Sequence, residues 1–204
     1  VIDGETEEVK TIPCDVEGDY KWAGVALCGK KLFCAPYDAS SILVIDGELE
    51  KIHIIPYDKG STSGNYSHIT CYKNEKLYCA PLWASSVLVI DGKTEETDKI
   101  PINIDGRKKY YAVAVLENKL VFPPYKPNST LFIDGETDEV STQQCINVDS
   151  GQSKWVGVAR CGKKLFCCPY KNDSILVLED RRHELIGYED KAQQICSRRG
   201  IGFK

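Results

Sequence analysis

Residues 22–47 have the sequence WAGVALCGKKLFCAPYDASSILVIDG, in which short apolar runs alternate with hairpin signals. Gly29-Lys30 separates the first run from the second, and Asp46-Gly47 ends the third. A fourth run, residues 51–55, ends at Pro56. Runs of about five residues, with no stretch long enough for an ordinary helix, predict four β-strands joined by tight turns.

This four-strand unit recurs along the chain at a nearly constant spacing. The tetrapeptide Val-Ile-Asp-Gly at Val44 has counterparts that begin at Val1, Val89 and Phe132, and a degraded one at Val177, at intervals of 43, 45, 43 and 45 residues. A second landmark, Leu-Phe-Cys-Ala-Pro-Tyr in its first copy, begins at Leu32, Leu77, Leu120 and Leu165. Two landmarks in phase over four copies identify a tandem repeat of about 44 residues.

The two faces of the unit indicate how the repeats pack. Pairing across Gly29-Lys30 puts two apolar sets on opposite faces, namely Val25, Leu27, Leu32 and Cys34 against Ala26, Cys28, Phe33 and Ala35. We expect both faces to be buried because both are apolar. The fourth strand is more polar, as in residues 8–12 and 139–142. These features predict an all-β fold, a β-propeller of four-stranded antiparallel blades.

We expect residues 1–204 to form one propeller domain, with repeats that start near residues 1, 44, 89, 132 and 177, the last of them incomplete. Residues 177–204 would supply a third and a fourth strand and, at residues 193–196, a first strand. Residues 1–12 would supply a third and a fourth strand, so that joining the two ends makes five blades, short by roughly ten residues. The alternative is part of a six- or seven-bladed propeller. The chain lacks Met and begins within a repeat, so we interpret it as a processed or excised piece or as a chain whose ends are missing.

The stretch Trp22-Ala23-Gly24-Val25-Ala26-Leu27-Cys28-Gly29-Lys30 and the following Val44-Ile45-Asp46-Gly47 resemble YVTN and NHL-type propeller repeats. The chain departs from that pattern at Phe33-Cys34-Ala35-Pro36-Tyr37, where the family usually has Tyr-Val-Thr-Asn. The signatures of WD40 and kelch repeats are absent. The resemblance implies the propeller fold, and because such repeats serve both in binding scaffolds and in some enzymes, it does not decide function.

Composition excludes several classes of partner. The net charge is -4, with hydrophobic residues at 42% and charged residues at 27%. An acidic chain is not expected to bind nucleic acid or anionic lipid through a broad electrostatic surface. No apolar run approaches the ~18 residues of a membrane helix, so no membrane insertion is expected. Nothing in the sequence points to a cofactor.

Most of the ten cysteines recur in phase. One set ends the first strand and a second lies in the second strand, namely Cys28, Cys71 and Cys161, and Cys34, Cys79 and Cys167. In the remaining copy Leu116 and Phe122 take these positions, so we interpret the cysteines as small buried apolar side chains. No Cys-x-x-Cys pair predicts a zinc site. Unpaired buried thiols favour a reducing intracellular compartment or organelle over secretion.

No catalytic constellation can be built from the other polar residues. His53, His68 and His183 occupy different positions in the repeat. The recurring Asp-Gly pairs are interpreted as turns in which Asp binds its own backbone and Gly adopts a positive φ. A repeated calcium site is the alternative, and the spacing does not support it. We therefore predict no catalytic residue and no metal site.

Aromatic residues indicate a candidate binding face. In a four-stranded blade, the loop that enters the first strand and the loop between the second and third strands emerge on one side of the ring. The first loop ends at Trp22, Tyr66, Tyr110 and Trp155, and the second holds Tyr37, Trp83, Tyr125 and Tyr170. Five lysines accompany them, namely Lys21, Lys109, Lys126, Lys154 and Lys171. These side chains form either a recognition face or plugs between blades. Three glycosylation motifs, at Asn65, Asn128 and Asn172, fall in the same loops.

Three hypotheses for function follow. The preferred one is a non-catalytic propeller that binds protein partners, as a scaffold or as a subunit of a larger assembly. The alternative is a carbohydrate- or small-ligand-binding propeller of lectin type, which should repeat one aromatic-plus-polar set in every blade. Leu82 replaces the tyrosine of one copy, with Trp83 one place later, which weakens that alternative. The third is an enzyme with a site at the mouth of the central channel, which requires one blade to break the pattern with a catalytic group.

Overall fold

In the computed structural model of the chain, which describes residues 9–60, 64–145 and 153–179, fifteen strands form four antiparallel sheets. In chain order the strands are β1 (Trp22–Cys28), β2 (Lys31–Pro36), β3 (Ser41–Asp46), β4 (Lys51–Pro56), β5 (Tyr66–Tyr72), β6 (Lys76–Pro81), β7 (Ser86–Asp91), β8 (Thr97–Pro101), β9 (Ala114–Leu116), β10 (Lys119–Phe122), β11 (Ser129–Asp134), β12 (Val140–Gln144), β13 (Trp155–Cys161), β14 (Lys164–Pro169) and β15 (Leu176–Glu179). Each sheet is a meander of consecutive strands. The blades are β1–β4, β5–β8, β9–β12 and β13–β15, hereafter the first to the fourth blade.

The predicted fold class is confirmed, because the chain is all-β and its sheets have the form of propeller blades. The predicted register is also confirmed in the first blade, where Leu27 lies opposite Leu32 and Ala26 opposite Phe33. Several predictions lie outside the described residues: the fourth strand of the last blade, the first strand at residues 193–196, and residues 1–8 of the closing blade. The described part of the outer strand predicted at residues 8–12 belongs to none of the fifteen strands.

Three apolar clusters fill the spaces between consecutive blades. Phe33 and Val44 meet Ile69 and Leu88 between the first and second blades. Tyr78 and Val87 meet Leu120 and Phe122 between the second and third, and Val121 meets Leu165 between the third and fourth. The middle blades are therefore buried on both faces, which explains why their inner strands carry apolar residues at successive positions.

The prediction that both faces of every blade are buried is wrong for the two end blades. Val25 and Leu27 are 54% and 60% exposed on the outer face of the first blade. Phe166 and Val177 are 40% and 47% exposed on the outer face of the fourth. The physical reason is that, among the described residues, no further blade packs beyond either of these faces. The described ranges contain no helix that could cross a bilayer.

In the Asp-Gly turns, the hydrogen bonds predicted for Asp are present, but the conformation predicted for Gly is not. Asp46 and Asp91 accept the backbone N–H groups of the second and third residues that follow them, and these bonds hold the pKa of both carboxyls below its usual value. The glycines, however, do not have a positive φ; that conformation falls on Glu50, Glu95 and Asp138. The prediction for the glycines is therefore wrong.

Close packing explains two of these glycines, Gly92 and Gly135, instead. A Cβ atom on Gly92 would lie 2.5 Å from the Cys28 sulfur and 2.9 Å from the Glu75 carbonyl oxygen. A Cβ atom on Gly135 would lie 2.5 Å from the Tyr72 ring. Each turn is pressed against the preceding blade, where no side chain fits.

Acidic residues of the same turns bind lysines of the preceding blade. Lys31 Nζ lies 2.6 Å from Glu95 Oε1, and Lys76 Nζ lies 3.0 Å from Asp138 Oδ2. Each acidic residue has the left-handed backbone conformation noted above. These acidic residues therefore serve contacts between blades. Within the described ranges, no three His, Cys, Asp or Glu side chains are grouped as metal ligands.

The cysteines are placed less regularly than their sequence phase predicts. Cys28 pairs with Lys31 across a two-residue turn, whereas Tyr72 pairs with Lys76 across a three-residue turn. Tyr72, not Cys71, is therefore the structural equivalent of Cys28. Cys71 lies on the face of its blade opposite to Tyr72, where it packs with Cys28 in the cluster between the first two blades.

Two further cysteines depart from the predicted burial. Cys161 and Cys168 are exposed, in contrast to the buried Cys28, Cys79 and Cys167. Both belong to the fourth blade, which also exposes Phe166 and Val177. The nine described cysteines are free, and Cys196 lies outside the described residues.

We expect the protein to lose stability above pH 9. Burial raises the pKa of the Cys28 and Cys167 thiols from 9.0 to about 12, and burial raises the pKa of Tyr66 and Tyr110 as well. Because the folded state holds these protons more tightly, the stabilisation is complete below pH 9 and is lost as the pH rises through about 12. Each group contributes up to about 1.4 kcal/mol per pH unit.

Urea unfolding followed by tryptophan fluorescence at intervals from pH 7 to pH 11 measures this effect. The midpoint should be constant to about pH 9 and then fall. In Cys167→Val, which keeps the apolar volume and removes one titrating thiol, the fall should be shallower. A midpoint that stays constant to pH 11, or an identical fall in both proteins, would contradict the prediction.

Candidate recognition surface

The aromatic residue at or just before each first strand bonds to the start of the third strand in its own blade or to the residues just before that strand. Trp22 Nε1 donates to the Ser41 carbonyl at 2.7 Å, and Trp155 Nε1 donates to the Ser174 carbonyl at 2.9 Å. Tyr110 Oη donates in the same way to the Ser129 carbonyl at 3.1 Å. In the second blade, the Tyr66 hydroxyl lies 3.3 Å from the Tyr57 hydroxyl and also bonds Ser86.

Three of these four aromatics are buried and cannot contact a partner. Tyr66 and Tyr110 are fully buried and Trp155 is 2% exposed, so their assignment to a binding face is corrected. They pack between strands and satisfy their polar atoms internally, as buried Tyr and Trp side chains require. Trp22 keeps partial exposure because the outer face of the first blade is uncovered.

Backbone hydrogen bonds join the two kinds of loop in an unbroken chain around this face. Each N–H donates to the carbonyl of the preceding loop, in the order Tyr37 to Lys21 (3.0 Å), Asn65 to Tyr37 (2.9 Å), Leu82 to Asn65 (2.9 Å), Lys109 to Leu82 (2.8 Å), Tyr125 to Lys109 (2.9 Å), Lys154 to Tyr125 (2.8 Å) and Tyr170 to Lys154 (2.7 Å). The loops of neighbouring blades are therefore held in fixed relative positions.

A buried lysine strengthens two of these junctions, that of the second and third blades and that of the third and fourth blades. Lys109 Nζ donates to the Gly106 carbonyl at 2.7 Å and to the Trp83 carbonyl at 3.4 Å. Lys154 Nζ donates to the carbonyls of Lys126 and Pro127 at 2.8 and 2.9 Å. Both lysines are buried, and burial lowers the pKa of Lys109. Their assignment to a binding face is therefore corrected as well.

The other two lysine positions vary. At the junction of the first two blades, Asn65 replaces the lysine, and Lys59 donates instead to the Asp38 carbonyl at 2.6 Å. Lys21 is half-buried; it donates to the Val16 carbonyl at 2.7 Å and lies 5.6 Å from the Trp22 ring centroid. Lys126 and Lys171 remain exposed and are the predicted lysines that a partner can reach.

The accessible aromatics come from the second kind of loop, together with one residue that the sequence analysis missed. Tyr170 is 60% exposed and Tyr111 is 38% exposed. The Tyr125 ring lies between them and is only 8% exposed, so its assignment to an exposed binding face is corrected. Its centroid lies 5.6 Å from that of Tyr111 and 6.2 Å from that of Tyr170. Tyr111, Tyr125 and Tyr170 are hereafter the tyrosine row. Comparison of the copies could have identified Tyr111, because Ala23, Ser67 and Val156 take its position in the other blades.

Tyr37 and Trp83 lie beside each other at the junction of the first two blades. A Cβ atom on Gly64 would lie 3.3 Å from Tyr37 and 3.5 Å from Trp83, so this glycine lets the two rings approach. The Arg107 guanidinium lies 5.0 Å from the Trp83 ring centroid. Trp83 is therefore partly covered by a cation–π contact, and Leu82, at the equivalent position to Tyr37, is buried.

The remaining candidates contribute less to this surface. The Asn65 side chain is buried, so the first glycosylation motif is inaccessible in the folded chain. His68 Nδ1 is buried without a hydrogen-bond partner, and burial lowers its pKa. His53 Nε2 lies 2.8 Å from Glu95 Oε2 on the opposite side of the blade, and His183 lies outside the described residues.

No family model and no characterised protein matches the sequence. Solved structures do match: Kuenenia stuttgartiensis hydrazine synthase has a TM-score of 0.62 at 14% identity over 84% of this chain and 49% of that chain. A chain of the nidogen/laminin complex has a TM-score of 0.57 at 14% identity over 76% and 58%. Apo AztD from Citrobacter koseri has a TM-score of 0.54 at 16% identity over 78% and 44%. The chain thus spans less than two thirds of each, and the likeness shows the β-propeller fold alone.

Proposed function

We propose that this propeller is a non-catalytic module that binds a protein partner through the tyrosine row. The row of contacting rings, in which Tyr111 and Tyr170 are exposed and the buried Tyr125 ring lies between them, is the observation that carries the proposal. Tyrosine gives a large contact area at low cost in conformational entropy, and it is enriched at interfaces. We also propose that its repeats are related to YVTN and NHL-type propeller repeats.

Rigidity of the loops supports this function. Tyr125 and Tyr170 both belong to the chain of backbone hydrogen bonds, so their main-chain positions are set before a partner arrives. A preorganised surface loses little freedom on association, which favours affinity. The nidogen/laminin complex offers a case of this fold in a protein complex.

The uneven distribution of aromatics favours a protein over a repeated sugar site. The tyrosine row spans only the third and fourth blades, and Leu82 at the equivalent position of the second blade is buried. A lectin of the predicted type would present the same set on each blade. The nine free cysteines agree with our proposal of a reducing compartment.

The native particle size tests the proposed function. Tagged protein in a gentle extract of its source should elute in a particle well above its own 22.8 kDa. Tyr111→Ala and Tyr170→Ala should shift it towards the size of the free chain, because each removes part of the contact surface. Tyr20→Ala is the matched control, since Tyr20 is 80% exposed and lies outside the row.

Two outcomes would count against the proposal. Wild-type protein that elutes as a free small chain would favour a sugar or small-ligand role, to be followed by a glycan array. Row variants that elute as the wild type does would place the contact elsewhere on the molecule.

A further inference from the structure

Exposed charges divide the face that carries the tyrosine row into two halves. Among the described residues on the side of the row, the exposed cations are Arg107, Lys108, Lys126 and Lys171, with Asp105 and Asp173 as the exposed anions. On the side of the first blade, Asp15, Glu17 and Asp19 are exposed and Asp38 is half-buried. This face is therefore polarised, although the whole chain carries a net charge of -4.

The cations near the row differ from the lysines that fix the loops. Lys109 and Lys154 are buried and donate to backbone carbonyls, so their charges are not offered to a partner. Lys126 follows Tyr125 directly, and Lys171 follows Tyr170. Each exposed lysine thus stands beside a tyrosine of the row, whose main-chain position is fixed.

We propose that the tyrosine row and its flanking cations bind an acidic peptide segment of the partner. This inference rests on the proposed function and adds the chemical class of the ligand. Tyrosine rings would cover the apolar parts of the segment, while Lys126, Lys171 and the Arg107 guanidinium would pair with its carboxylates. The acidic half of the face would repel the same segment and so set its position and direction.

A peptide library tests the class without knowledge of the partner. Random dodecapeptides displayed on phage are selected on the immobilised full chain. The selected pool should be enriched in Asp and Glu by at least about twofold over the starting pool and depleted in Lys and Arg, because like charges across an interface are disfavoured. The strongest binder is then labelled with fluorescein, and its Kd is measured by fluorescence anisotropy at low and high salt.

Charge-reversal variants locate the site. Lys126→Glu/Lys171→Glu should raise the Kd of the acidic peptide by about tenfold or more, and added salt should weaken binding to the wild type. Glu17→Lys/Asp19→Lys reverses the same number of charges on the opposite half and should not raise the Kd. All four side chains are exposed, and circular dichroism confirms that the variants are folded.

The outcomes separate the inference from the function on which it rests. No selected peptide, a neutral or basic pool, or equal effects of the two double reversals would overturn the acidic class. A neutral or basic peptide that loses binding in Tyr111→Ala would overturn the acidic class and leave the tyrosine row as a protein-binding surface. An acidic peptide unaffected by Tyr111→Ala and by Lys126→Glu/Lys171→Glu would overturn both.

Discussion

Replacement of Tyr110 by alanine is expected to cost about 3–5 kcal/mol of unfolding free energy, the usual cost of truncating a buried aromatic side chain. Tyr110 is fully buried between the second and third blades, where its ring lies 6.2 Å from that of Phe122. Its hydroxyl donates to the Ser129 carbonyl, which would lose that donor. Alanine would thus leave a large cavity and an unpaired acceptor at a junction between blades.

Thermal unfolding followed by circular dichroism measures this effect. For a chain of this size, such a loss should lower the Tm by roughly 6–20 °C. Tyr110→Phe keeps the ring and loses only the hydrogen bond, so it should cost about 1 kcal/mol. Tyr170→Ala, at a residue 60% exposed, should change stability by no more than about 0.5 kcal/mol. If Tyr110→Ala and Tyr170→Ala were equally stable, the distinction between buried and surface aromatics would be wrong.

Gly92→Ala is expected to destabilise the fold by about 2–3 kcal/mol through overpacking. The added Cβ atom would lie 2.5 Å from the Cys28 sulfur and 2.9 Å from the Glu75 carbonyl oxygen. Cys28 belongs to the preceding blade, whereas the Glu75 carbonyl belongs to the same blade as Gly92. Both the Cys28 side chain and the Glu75 backbone would have to move to remove the overlap with the new Cβ atom. The Gly92 N–H also donates to the Glu75 carbonyl, which ties the turn to this position.

Urea unfolding of four variants, Gly92→Ala, Gly157→Ala, Cys28→Ala and Cys28→Ala/Gly92→Ala, checks this prediction. Gly157→Ala is the control, because a Cβ atom there meets its nearest neighbour, Cys168 Cβ, at an ordinary 3.6 Å. It should change the unfolding free energy by no more than about 0.5 kcal/mol. In Cys28→Ala/Gly92→Ala the sulfur is absent, so glycine replacement should cost less than in the wild-type background, measured as a double-mutant cycle. Equal effects of Gly92→Ala and Gly157→Ala would show that the close approach does not constrain Gly92.

The recurring Asp-Gly pairs were correctly predicted to be turns, but the predicted reason for their glycines, a positive φ, is wrong. Sequence phase identified the turn, and Asp91 acts as predicted. Gly92 is required because the preceding blade lies close to this turn. The contact joins Gly92 to Cys28, 64 positions away along the chain. A local sequence rule attributes it to a positive φ because such a rule contains no information on neighbours in space.

The aromatic residues of the candidate binding face show the same limit of local sequence rules. The predicted topology correctly placed two sets of loops on one face. The sequence does not distinguish Trp155 from Tyr170, yet Trp155 is buried and Tyr170 is exposed. Trp155 can reach the Ser174 carbonyl and is buried, whereas Tyr170 emerges beyond the end of its strand. Tyr111 differs from Ala23, Ser67 and Val156 at the same position of the other copies, but its contact with Tyr125 is visible only in the structure.

The amino-acid sequence was sufficient to predict the repeat, the four-strand blade and the register of the first blade's inner strands, because hydrophobic periodicity and turn residues act within a few positions along the chain. The tertiary structure alone decided which aromatics and lysines are reachable, that Cys28 faces Cys71, and which glycines tolerate no side chain. Each of these depends on the distance between neighbouring blades. That distance is set by the packing of whole sheets against one another, and it places residues some 40 or more positions apart in direct contact.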